Sequence, residues 1–202
     1  MYDLLIENAR IVDGTGKPAY PGGVAVKDGR VVALGAVSGE AVRCIDAKGE
    51  VVAPGFVDPH THFDAQVAWD PLLTPSAEHG VTTAVMGNCG VGTAPVRADM
   101  REFLMGDLVN VEGIPLEVMR AGIAWQWEHF GEYMDALDRC GLGINVAPLV
   151  AMTPLRHYAM GAASLERAAN PDEIAAMTRV FAGAMEAGAF GYSTTREGVH
   201  VG

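Results

Sequence analysis

Basic residues are scarce in this chain. Lys and Arg together number 14 against 25 Asp and Glu, giving a formal net charge of -11. That balance argues against a nucleic-acid partner, which needs a basic face to replace phosphate counterions. The acidity itself favours solubility and weakly repels anions at long range. Long apolar runs are missing too. None approaches the roughly 20 residues a membrane helix requires, so no membrane partner is expected. The start, Met1-Tyr2-Asp3-Leu4-Leu5-Ile6-Glu7-Asn8, lacks the basic opening and long apolar core of a signal peptide. The 3 cysteines, Cys44, Cys89 and Cys140, are irregularly spaced and make no disulfide framework. The cytoplasm is therefore the default compartment. Lysine is confined to Lys17, Lys27 and Lys48.

Half of the residues are apolar and no internal repeat stands out, as in an ordinary globular chain. Residues 1–54 read as short strands: Leu4–Ile6, Arg10–Val12, Gly23–Val26 and Arg30–Leu34, then Val51–Ala53. Asp13-Gly14 and Asp28-Gly29 between apolar runs are hairpin signals, because such turns need positive φ. The pattern changes at Pro54-Gly55. From there strands are expected at Gly55–Pro59, Thr82–Met86, Gly143–Val150 and Ala189–Thr195, alternating with helix-like segments. Alternation of this kind marks β/α units around a parallel sheet. One helix is well delimited: Asn170 caps it, Pro171 opens it, Asp172 and Glu173 meet its dipole, and Gly188 follows it. Another, about Trp127–Arg139, carries Phe130, Tyr133, Met134, Leu137 and Cys140 on one side.

The chemistry concentrates where the first of these barrel strands ends, in Pro54-Gly55-Phe56-Val57-Asp58-Pro59-His60-Thr61-His62. Strand side chains alternate faces, so His60 and His62 point the same way. Two neutral imidazoles side by side form half of a zinc site. Asp58 shares their parity and could orient a ligand or a metal-bound water. Asp64 and Gln66 continue it, either shaping the site or lying in a solvated loop. Cys89, in Gly87-Asn88-Cys89-Gly90, closes the second of these strands. Catalytic groups of α/β barrels gather at the C-terminal ends of strands, so Cys89 is either a ligand on the same rim or a buried structural thiol. At the fourth strand end, Ser193 and Arg196, with Tyr192 nearby, are candidates for an anionic substrate, against an ordinary loop arginine. Glu112 is a candidate pocket wall or a plain loop carboxylate. His157 falls in a loop-like run and reads as a surface or outer residue. His79 and His129 read as structural, and His200 has no assignment.

These motifs resemble the amidohydrolase superfamily, whose signature Pro-Gly-x-x-Asp-x-His-x-His is matched at Pro54, Gly55, Asp58, His60 and His62. Within it, Gly80–Pro95 and Leu155–Gly161, with a looser match at Gly188–Thr194, resemble the N-acyl-D-amino-acid deacylase (D-aminoacylase) family. The resemblance implies an α/β fold: residues 1–54 a β-sandwich segment, and residues 55–202 the first four β/α units, the N-terminal half, of a metal-dependent (β/α)8 barrel. A closed barrel needs roughly 250 residues, so the sequence reads as part of a longer protein. An open half barrel is expected to self-associate through sheet edges and its apolar inner face. The family places a metal-ligating cysteine after the second strand, which carries over to Cys89. Hydantoinases and their relatives use a carboxylated barrel lysine instead, and none of the three lysines here lies in the barrel segment. The implied cofactor is zinc, one or two ions, held by His60, His62 and Cys89. Two further histidine ligands and the catalytic aspartate are expected beyond residue 202. The implied reaction, in the full-length enzyme, is hydrolysis of N-acyl-D-amino acids, small-molecule substrates, to a D-amino acid and a carboxylate, and the 202-residue chain alone is expected to be inactive. Two alternatives stay open: another amidohydrolase of cyclic or linear C–N bonds, hydantoinase-like, or a catalytically silent fragment.

Overall fold

The computed structural model describes residues 1–195. Two compact units divide the chain, one spanning Met1–Gly55 and the other beginning at Phe56. In the first, β1 (Tyr2–Ile11), β2 (Tyr20–Lys27), β3 (Arg30–Gly35), β4 (Ala41–Asp46) and β5 (Val51–Val52) form one mixed sheet. β1 pairs antiparallel with β2 and parallel with β4 and β5. A small core of Ala9, Ile11 and Val24 lies under it.

Three details of this unit differ from the sequence reading. Leu4–Ile6 and Arg10–Val12 are not separate strands; the first and most of the second belong to β1, whose register shifts between Ile6 and Ala9. Asn8 sits at that shift with φ of 54° and donates to Asp46, a conformation asparagine tolerates better than most side chains. Asp13-Gly14 makes no tight two-residue turn: the β1–β2 hairpin closes from Ile11 to Tyr20 through a longer loop, in which the Asp13 carboxylate accepts from the Thr15 amide and hydroxyl. Asp28-Gly29 does make one, with φ of 52° and 70°. β4 escapes the hydrophobic pattern because most of its side chains are exposed and backbone pairing with β1 holds it.

The second unit carries a four-stranded sheet in the order β6 (Phe56–Thr61), β7 (Val81–Met86), β8 (Asn145–Ala151), β9 (Gly191–Ser193), all parallel. Between β7 and β8 run α1 (Arg101–Glu112), α2 (Leu116–Gly122) and α3 (Phe130–Cys140); α4 (Met152–Met160) and α5 (Pro171–Glu186) precede β9. Met86, Leu104, Leu108, Met119, Phe130 and Tyr133 belong to a single core. Tyr133 and Trp127 satisfy their polar ends on the carbonyls of Asp64 and Thr93, at 3.3 and 2.9 Å. α3 starts later than expected, since the His129 side chain and Glu132 form a capping box there. Cys140 is exposed at its end rather than on the core stripe, and Cys44 is exposed as well.

α5 begins as its sequence indicates. Asn170 accepts from the Glu173 amide at 2.9 Å while Glu173 accepts from the Asn170 amide at 2.8 Å. Replacing Asn170 with alanine removes a donor's partner at the helix start. Asn170→Ala is expected to lower stability by about 1 kcal/mol, read as a shift in the urea unfolding midpoint; an unchanged midpoint would contradict the cap's contribution.

Candidate metal centre

β6 runs through His60 and stops at Thr61, so the pleat carries His60 and, one residue past the strand, His62 to the same side. Their ring centroids are 5.6 Å apart in an edge-on arrangement. Thr61 faces the other way, buried, and donates to the Val85 carbonyl of β7 at 2.8 Å. β7 ends at Met86, and the next four residues bend sharply: Gly87, Cys89 and Gly90 have φ of 81°, 55° and 77°. Left-handed backbone costs a non-glycine residue roughly 1–2 kcal/mol, and it persists only where the surroundings impose it. The bend delivers the Cys89 sulfur to 3.1 Å from His60 Nε2. One ligand atom from each of His60, His62 and Cys89 lies within 4.8 Å of the others.

Three side chains anchor this bend. The Gly87 amide donates to the buried Asp64 carboxylate at 2.8 Å. The Asn88 side chain donates to the Val85 and Thr61 carbonyls at 2.9 and 3.2 Å. Ser193, at the end of β9, accepts from the Gly90 amide at 3.1 Å and donates through a short bond to the Gly87 carbonyl. Glycine is required at Gly87, where a Cβ would stand 2.6 Å from the Leu149 carbonyl oxygen.

Carboxylates crowd the site. Glu112 ends α1 and brings Oε1 to 3.9 Å from His62 Nε2. Partial burial pushes the Glu112 carboxyl up, opposed by His60. Burial, and then Glu112, push the Cys89 thiol up. Burial raises Asp64 most, to about 7, although the Gly87 amide pulls the other way. Each group is thus biased toward its protonated form, a bias that a bound cation inverts. Two imidazole nitrogens and one sulfur are a donor set that suits zinc, whose tetrahedral bonds of about 2.0–2.3 Å put ligand atoms roughly 3.5 Å apart. The residues present fit such an ion.

Other expectations land elsewhere. Asp58 accepts from the His60 backbone amide at 3.2 Å, so it meets the main chain of a candidate ligand. Asp64 is buried, not a solvated loop residue. Gln66 turns to Asp70 and the Thr74 carbonyl. His157 is neither in a loop nor at the surface. It lies in α4, 1% exposed, with Nδ1 2.5 Å from Ser164 Oγ and Nε2 3.7 Å from Asp107. Ser164 gives its proton to the Gly161 carbonyl at 2.6 Å, which makes His157 Nδ1 the donor. His79 is exposed, and His129 caps α3 and meets the Tyr158 hydroxyl at 3.0 Å. Arg196 and His200 lie outside the described residues. Glu112 is no loop carboxylate: it is the last residue of α1, which Gly113 ends in a left-handed cap, φ 67°.

The family model described as "Amidohydrolase family" matches residues 43–201. The chain belongs to this family. Among amidohydrolase relatives, an N-acyl-D-aspartate deacylase of Alcaligenes xylosoxydans xylosoxydans is 38% identical over 193 residues, covering 95% of this chain and 36% of the relative. A D-aminoacylase structure, solved to define the role of its binuclear metal centre, superposes with a TM-score of 0.79 at 34% identity, covering 96% of this chain and 38% of that one. An N-acyl-D-glutamate deacylase from Bordetella bronchiseptica, solved with zinc and a phosphonate mimic of the tetrahedral intermediate, gives 0.75 at 35% identity, with coverage of 96% and 38%. The chain spans little more than a third of each relative's length.

Asp64 sets a pH dependence in the metal-free protein. Its folded pKa, about 7, lies above the ordinary 3.8, so the native state holds the extra proton between those values. The Asp64 contribution is therefore complete below pH 3.8 and is lost as pH rises through 7. From pH 5 to 8 the metal-free protein is expected to lose on the order of 3 kcal/mol through this group. Urea unfolding of Asp64→Asn should be flatter across that interval; an equal slope would show that Asp64 does not titrate inside the fold.

Proposed function

We propose that the protein is a zinc-dependent deacylase of N-acyl-D-amino acids, releasing a D-amino acid and a carboxylate. The observation that carries this reading is the approach of a strand-end cysteine to a His-x-His pair, with Cys89 Sγ 3.1 Å from His60 Nε2. The deacylase relatives give it support, two of them through solved structures with TM-scores of 0.79 and 0.75. In this reading His60, His62 and Cys89 bind one or two zinc ions, as the D-aminoacylase neighbour is described with a binuclear centre. Zinc bound there supplies a Lewis acid for the amide carbonyl and a nucleophile drawn from water at neutral pH. His60 and His62 serve as neutral imidazoles and Cys89 as a thiolate. The carboxylate of Glu112, 3.9 Å from His62 Nε2, is beyond hydrogen-bond distance and places negative charge beside that ring.

The substrate proposed is a small N-acyl-D-amino acid, with Ser193 and Arg196 as the local candidates to meet its carboxylate. The Ser193 hydroxyl already donates its one proton to Gly87 and accepts from Gly90, so it has no proton left for that carboxylate and Arg196 is the stronger of the two candidates. Among the described residues no helix is long and apolar enough to cross a membrane. A cytoplasmic setting is proposed because all three cysteines are free. Self-association is proposed on the exposed Phe56 and Val57 of β6, an edge of the sheet among the described residues.

Amine release by the protein from N-acyl-D- and N-acyl-L-amino acids and from cyclic ureides tests the function. The expected result is turnover of the D-series alone, abolished by chelation and restored by zinc. Turnover that survives complete zinc removal would refute it.

A further inference from the structure

We infer that Ser193 is a positioning residue for the metal centre, acting on Cys89 from the fourth strand of the sheet. The inference rests on the zinc reading above and adds a residue to it. Three ligand-bearing positions come from β6 and β7, yet the contacts that fix the cysteine reach across to β9. Ser193 is 9% exposed and its hydroxyl is used twice. It donates to the carbonyl of Gly87 and accepts from the amide of Gly90, the buried glycines on either side of the Asn88-Cys89 pair. One side chain thus closes a clamp around the residue whose own backbone is left-handed, φ 55°.

Packing reinforces the clamp. A Cβ on Gly90 would lie 3.2 Å from Thr194 Cα and 3.3 Å from the Thr195 nitrogen, so the bend rests against the backbone that follows Ser193. The opposite end of the bend is tied to Asp64, two residues past His62. Removing the Ser193 hydroxyl leaves a buried carbonyl and a buried amide without that partner. The bend can recover them only by rotating, which carries the sulfur away from His60. The energetic preference of Cys89 for ordinary backbone angles favours that rotation. The Ser193 hydroxyl bonds the loop backbone at Gly87 and Gly90, so its effect on the sulfur travels through that backbone.

Cobalt(II) titration of the intact protein provides a direct test, since a thiolate ligand gives cobalt a charge-transfer band that imidazoles do not. For Ser193→Ala the band is expected to weaken and shift, and zinc affinity measured by chelator competition to fall about 10–100-fold, the range for loss of a ligand-orienting partner. Circular dichroism should stay unchanged. Ser193→Thr, which keeps the hydroxyl, should restore the band. An alanine variant with the unmodified protein's band and affinity overturns the inference while leaving the zinc reading intact. Should the alanine variant fail to fold, Ser193→Thr and Ser193→Val, which differ by a hydroxyl for a methyl, carry the comparison, and equal affinities overturn the inference. A missing band in the unmodified protein overturns the zinc reading and this inference together.

Discussion

The hydrogen bond from the Gly87 amide to the buried Asp64 carboxylate, 2.8 Å long, joins the two segments on which the candidate centre depends. Asp64 follows the His-x-His pair by two residues, and Gly87 precedes the cysteine by two. Neither segment is regular structure at that point, so no ladder of backbone bonds keeps them in register. The carboxylate does. Asn88 adds a second tie through its donations to Val85 and Thr61, and Ser193 a third. Against these contacts the left-handed cysteine, a cost of roughly 1–2 kcal/mol, is readily held.

Electrostatics give the arrangement its chemical direction. Asp64, Glu112 and Cys89 all have their ionised forms disfavoured, chiefly by burial. Glu112 adds to the upward shift of both Asp64 and Cys89. A cluster of acids that resist ionisation, next to two imidazoles, is poorly satisfied by itself. A divalent cation held by His60, His62 and Cys89 would favour the ionised form of the Cys89 thiol, because it stabilises an anion that binds it.

The strand parity of His60 and His62 and the strand-end position of Cys89 were readable from the sequence, because both follow from period-two geometry and from where α/β sheets gather their loops. The helix start at Asn170 was readable for a similar reason, its capping signal being local. What the sequence concealed was non-local. Asp64 is buried only because Tyr133, Gly87 and Gly92 close over it. Glu112 reaches His62 only because α1 runs to its end at that place. His157 looked exposed because its neighbours Arg156 and Tyr158 are polar, while a helical turn directs it inward to Ser164 and Asp107. In the first unit, β1 was cut in two because a bulge at Asn8 interrupts an otherwise continuous strand.

X-ray absorption at the zinc edge of the metal-loaded protein tests the central claim most directly, namely that two imidazoles and one thiolate share an ion. A sulfur shell at about 2.3 Å is expected together with imidazole nitrogen scattering at about 2.0–2.1 Å. A coordination shell of nitrogen and oxygen alone, without sulfur, would contradict it.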